Sequence, residues 1–208
     1  MFQRHFSKIG PERFAFGREI SKSGRELLKC KDTQSQWDMI VELCPMKIIF
    51  EKLSEDGTLG HFGITDPRRA NYTASLDCRD AACIEFMESI FAAFTAFLGH
   101  TATSLPLTGD TLKVKRRLCK WAADGVEPER NPIEVVQWDG TKHVSIEHCF
   151  TRGDIIQPVV KISPWTVPDS DGISLEIISI QLISKAPPQS TQLQFSIPDL
   201  PPLKRRRV

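Results

Sequence analysis

Between Asp80 and Gly99 the apolar residues Ile84, Met87, Phe91, Phe94 and Leu98 recur at spacings of 3, 4, 3 and 4, the period of an α-helix. A second apolar row, Phe86, Ile90, Ala93 and Phe97, runs beside the first. Together they make a stripe too wide for a surface helix, so the pattern predicts a largely buried one. Asp80 suits its N-cap and Gly99 its C′ position.

Elsewhere the period is two or the runs are short and β-branched. Residues 38–52 read as two short strands divided by Pro45, and 70–77 as another. Residues 55–69, with three glycines and a proline, read as a loop. Thr111–Trp121 reads as a strand whose alternation breaks at Arg116–Arg117. Ile133–Trp138 and Lys142–Glu147 flank Asp139-Gly140, a hairpin signal. Asp154–Ile162 and Ile173–Leu182 are the last two strands, joined by a loop, SPWTVPDSDG.

One helix among seven or eight strands, without βαβ alternation, predicts a mainly β fold with antiparallel pairing. The pattern fits a partly open Greek-key barrel of the OB-fold type with one buried α-helix; a small β-sandwich is the competing architecture. The expected organisation is a basic N-terminal arm over 1–36, the barrel domain over 37–184, and a Pro-rich polar tail over 185–208 that carries a basic cluster. In the arm, Phe2, Phe6, Phe14 and Phe16 are interleaved with Arg4, Lys8, Arg13 and Arg18. Such an arm suits either a nucleic-acid backbone or packing on the core.

Composition narrows the classes. The chain has 208 residues, 40% of them hydrophobic, which excludes a wholly disordered protein. No unbroken run of about 18 apolar residues occurs, so nothing is expected to enter a membrane, and the N-terminus lacks the apolar segment of a secretory signal. Net charge is +1, and Lys204, Arg205, Arg206 and Arg207 carry +4 of it, leaving residues 1–203 at −3. Nucleic-acid binding would therefore need a local basic stripe. The six cysteines, at 30, 44, 78, 83, 119 and 149, contain no CxxC pair. They read as reduced, partly buried thiols, with no metal and no cofactor expected. No GxGxxG, GxxxxGK[ST], GxSxG or HExxH motif occurs, so no enzyme is expected; a metal-dependent nuclease built from single carboxylates is the catalytic alternative.

The candidate binding stripe is Lys113, Lys115, Arg116, Arg117, Lys120 and Trp121. On a strand, Lys113, Lys115 and Arg117 share a face. They would track phosphates while Trp121 stacks on a base. The hairpin adds Trp138, Lys142 and His143, and the last strand pair adds Lys161 and Trp165. A solvated strand face and core tryptophans would leave the same pattern.

Residues 153–184 resemble the C-terminal strand pair of single-stranded DNA-binding proteins of the short-tailed coliphage type, which have relatives in large eukaryotic DNA viruses. The resemblance rests on a hydrophobic strand (Val159 to Ile162), Trp165, Gly172, and a strand ending at Gln181. The upstream order of strands and helix matches loosely, over roughly 36–184. The resemblance implies an OB-fold that coats single-stranded DNA during replication, repair or recombination without catalysis. It implies replication proteins as partners and a homodimer. Proteins of that type end in an acidic tail with a terminal aromatic, whereas this chain ends PPLKRRRV. That ending resembles a monopartite nuclear-localisation signal, which predicts an import receptor as partner, a eukaryotic host nucleus and a viral origin. The rival reading of the whole is a structural or adaptor β-barrel of a virus or transcription complex.

Overall fold

The structure is a computed structural model, and it describes residues 4–22, 24–54, 57–59, 64–66, 71–118, 129, 131–137, 139–145 and 150–186. The strands are β1 (Arg4–His5), β2 (Phe14–Ile20), β3 (Glu26–Asp32), β4 (Ile40–Glu42), β5 (Met46–Ser54), β6 (Gly57–Leu59), β7 (Ile64–Asp66) and β8 (Asn71–Asp77). The helix α1 (Ala81–Leu98) follows. Then come β9 (Leu107–Thr108), β10 (Thr111–Arg117), β11 (Ile133–Val136), β12 (Lys142–Ser145), β13 (Ile155–Val167) and β14 (Ser170–Ser184).

Five strands close a ring in the order β5–β8–β10–β14–β13 and back to β5. All the pairings are antiparallel except β10–β14, which is parallel. This is the OB-fold barrel the pattern predicts. Its closure is partial, because β5 meets β13 only through Met46–Lys47 against Ile155–Ile156. Two irregularities in β13, at Ile155/Ile156 and Val159/Val160, bend it so that it pairs β5 at one end and β4 further along.

Alternation supplies the core. Along β8, Tyr72, Ala74 and Leu76 point inward, and along β10 Leu112, Val114 and Arg116 do. The expected break at Arg116–Arg117 is absent. Arg116 is 1% exposed, and its Nη2 donates to the carbonyls of Asn131 (3.2 Å) and Ser145 (3.1 Å), tying β10 to the segment of β11 and β12. A guanidinium can be buried there because peptide oxygens replace its water.

The caps of α1 are the expected ones. Asp80 accepts from Cys83 N at 3.0 Å, and Gly99 takes the left-handed conformation at φ 79°. By length and apolar composition this helix is long enough to cross a membrane, yet its face of Phe86, Met87, Ile90, Phe91 and Phe94 is buried within the protein. Phe6 and Phe14 lie 5.9 and 6.4 Å from the Phe86 ring, and Phe16 lies 5.0 Å from Phe94. Phe6, Phe14 and Phe16 thus cover the helix, each buried one contributing about 2 kcal/mol of transfer free energy, while Phe2 lies outside the described residues. β2, which carries Phe14 and Phe16, forms with β3 a two-stranded hairpin outside the barrel sheet, and the charge-rich sequence over 14–32 did not announce it.

Two further departures are local. Residues 57–59 and 64–66 form a small hairpin where a loop was expected. The expected loop over 163–172 is mostly strand: β13 and β14 pair down to Val167–Ser170, with Pro168 and Asp169 making the turn, residues that suit a tight reversal.

Candidate nucleic-acid interface

The outer face of the barrel over β8 and β10 is built by the alternation that builds the core. Cross-strand register sets two rows across β5, β8 and β10: Phe50–Ser75–Lys113 and Lys52–Thr73–Lys115. Arg117 extends the β10 column opposite Asn71. Small polar residues on β8 therefore lie between larger side chains on both neighbours, a trough with a narrow floor. Flanking strands are about 10 Å apart.

Lys113, Lys115 and Trp165 line one groove of about 310 Å³, together with Thr73, Ser174 and the loop residues Ser104 to Pro106. Trp165 reaches it because its cross-strand partner is Gly172. A Cβ at Gly172 would sit 2.9 Å from the Trp165 ring and 2.1 Å from the Ser104 carbonyl oxygen. Glycine thus lets the indole lie across β14 and lets the loop after α1 dock beside it. That loop is fastened by Asp171, whose carboxylate pairs with His100 Nε2 at 2.5 Å and accepts from Thr103 N at 3.1 Å. The His100 hydrogen bond, reinforced by the Thr103 N–H, holds the Asp171 carboxyl below the usual carboxylate range, against the opposing effect of burial.

Charge in the groove is moderated locally. Burial lowers the pKa of Lys115, while Glu176, its register partner on β14, acts to raise it and Arg117 to lower it. Glu176 also faces Lys161 across β13. Lys161 itself grips Asp38 at 2.5 Å and lines a different, larger groove of about 590 Å³, with Arg4, Trp37 and Ile40. Arg13, on that groove's wall, is bound through Nη2 to both oxygens of Asp32, at 2.8 and 2.6 Å. Size alone would favour the larger groove, but cations already held by carboxylates are poor phosphate ligands.

The remaining candidates scatter. Arg116 points into the core, away from this face. Lys142 sits on β12 at the sheet's far edge, 3.6 Å from Glu134. Lys120, Trp121 and Trp138 lie outside the described residues, as do Lys204, Arg205, Arg206 and Arg207. Phe50 and Lys52 were missed. In strict alternation they share a face with the buried Met46 and Ile48; an irregularity between Ile48 and Phe50 reverses the phase and leaves Phe50 55% exposed. Among the described residues, one group of thiols lies close enough to share an ion: Cys44, Cys78 and Cys83, buried inside the protein.

No protein-family model matches this chain, and no curated protein matches it. Solved structures do. The single-stranded DNA-binding protein gp2.5 of bacteriophage T7 superposes with a TM-score of 0.51 over 74% of this chain and 97% of that one, at 16% identity. The single-stranded DNA-binding protein of bacteriophage Enc34, in complex with single-stranded DNA, gives 0.46 over 72% and 89%, at 10% identity. The shared property is the fold. It corrects one expectation: gp2.5 belongs to a bacteriophage, which acts in a bacterial host that lacks a nucleus. The eukaryotic nucleus, and with it the import receptor, is withdrawn.

Proposed function

We propose that the protein binds single-stranded DNA across the outer face of β8 and β10, with little sequence preference and without catalysing a reaction, in the service of DNA replication. Lys113, Lys115, Arg117 and Lys52 contact phosphates; Trp165 and Phe50 offer stacking surfaces for bases. The observation that carries this reading is the convergence of Lys113, Lys115 and Trp165 on one groove over the second and third barrel strands, the face by which OB-folds hold oligonucleotides. The trough suits a single strand, since cations on its walls meet a flexible backbone while aromatic faces accept any base. The fold shared with a phage protein described as single-stranded DNA-binding supports the same class of ligand.

The test is a salt titration. A labelled oligo-dT of about 16 nucleotides should bind more tightly than duplex of the same length. Logarithmic affinity should fall linearly with the logarithm of salt concentration. Replacing Lys113, Lys115 and Arg117 together with Ala should reduce that slope by about 2, at roughly 0.7 per lost phosphate contact. Equal affinity for duplex, or an unchanged slope in the folded triple variant, overturns the assignment.

A further inference from the structure

Cys44, Cys78 and Cys83 come from three elements: the segment entering β5, the residue after β8, and the first turn of α1. They are 4%, 1% and 0% exposed. Their sulfurs all lie within 4.8 Å of one another, and the Cys44 and Cys78 sulfurs are 3.9 Å apart. Four sulfurs around a zinc ion at about 2.3 Å are separated by about 3.8 Å, so the pair already stands at the edge length of a coordination polyhedron. Nothing in the linear spacing signals this, because 34 residues separate Cys44 from Cys78.

The three thiols gather at the start of α1, with Cys83 in its first turn and Cys78 two residues before the cap Asp80. The cluster also sits at the positive end of the α1 dipole, where thiolates are stabilised. Three thiolates around a divalent ion carry a net charge of −1, which the helix terminus faces.

We propose that Cys44, Cys78 and Cys83 form a structural site for a thiophilic d10 cation, Zn(II) or Cu(I), that staples the first two barrel strands to the helix. Each thiol that ligates exchanges its S–H bond for a metal–sulfur bond and releases one proton. The site is separate from the DNA-binding face and does not depend on that reading.

Zinc and copper should be quantified by mass spectrometry in protein purified without chelator or added metal. One ion per chain is expected, and the element found decides between the two. Cobalt(II) added to chelator-stripped protein should give intense sulfur-to-metal charge-transfer absorption with a one-to-one end point. Cys78→Ser and Cys83→Ala should lose both signals, whereas Cys119→Ser and Cys149→Ser should keep them. Because a variant could fail to fold, the wild-type chain supplies an independent readout. A strong chelator should lower its melting temperature by several degrees, and stoichiometric metal should restore it. Less than about a tenth of an equivalent of metal with no uptake overturns the proposal. So does uptake that survives Cys78→Ser, or an intact mass two daltons low from a Cys44–Cys78 disulfide.

Discussion

Two grooves of this protein contain lysine, arginine and tryptophan, and they differ in what answers the charge. In the larger one, Arg13 is clamped by Asp32 and Lys161 by Asp38, beside a Trp37 that is 75% exposed. In the smaller one, Lys113 and Lys115 look across β8 to Ser75 and Thr73. The first set of cations is engaged in ion pairs, Arg13 within the N-terminal segment and Lys161 between β13 and the segment entering β4. The second is arranged as a row against the hydroxyls of β8, with Glu176 beside Lys115 on the β14 side. Composition cannot separate these cases, since both grooves read as basic and aromatic; the close ion pairs of Arg13 and Lys161 do.

The sharpest way to break the comparison is Arg13→Ala. It strands the Asp32 carboxylate, whose side chain is 14% exposed, and should cost about 3 kcal/mol of stability in chemical denaturation. The affinity of the folded fraction for oligonucleotide should stay unchanged. A large loss of affinity at full folding would make the larger groove part of the binding path.

Phe50→Ala sharpens the other side. The side chain is mostly exposed, so melting should shift little, while oligonucleotide affinity should fall by about 1–3 kcal/mol if a base stacks there. Trp165→Ala should give a similar loss, and Trp165 fluorescence should be quenched when DNA is added. An affinity untouched by Phe50→Ala would confine stacking to the β13–β14 side.

Lys161→Ala should matter least at neutral pH. Its pair with Asp38 is partly exposed, with side chains 27% and 34% accessible, and such pairs contribute under about 1 kcal/mol. The salt slope should change far less than for Lys113→Ala. If the two slopes shift equally, the distinction between engaged and available cations fails.

The loop that walls the smaller groove supplies a pH signature. The Asp171 carboxyl is held below its ordinary 3.8, first by His100 and then by the Thr103 N–H, with burial opposing. A carboxyl lowered on folding contributes stability above its unfolded value and loses it as pH falls through the folded one. Melting temperature should therefore decline below about pH 4, and Asp171→Asn should flatten that decline while lowering stability at neutral pH. An identical acid limb in the variant would show that other carboxylates govern it, Asp32 and Asp38 being the first to examine.

Much of this was legible in the chain. The two rows of α1, its Asp80 and Gly99 caps, and the sides taken by Lys113, Lys115 and Arg117 follow from backbone period, and so does the Asp139-Gly140 turn, with Gly140 at φ 84°. Arg116 was misjudged because charge suggested the outside, whereas unbroken alternation and two waiting carbonyls took it in. Phe50 was invisible because a single inserted residue reverses every side after it. The SPWTVPDSDG segment reads as a loop, yet Pro164 sits inside β13, as Pro158 does upstream of the segment, in a strand interrupted by irregular pairing.

What the sequence determined by itself is therefore local: which segments are extended or helical, where they are capped, and which side of each strand a residue occupies. These depend on dihedral preferences and on the one-dimensional alternation of apolar and polar groups. Tertiary structure alone decided which edges meet. The parallel seam of β10 with β14 joins Val114 to Leu175, 61 residues apart, and forms only when bent β13 lets the ring close. That closure set Trp165 beside Lys113, gave Lys161 to Asp38, and brought Cys44, Cys78 and Cys83 within 4.8 Å of one another. Neighbours across a barrel are chosen by the packing of the whole core, and no local period records that choice.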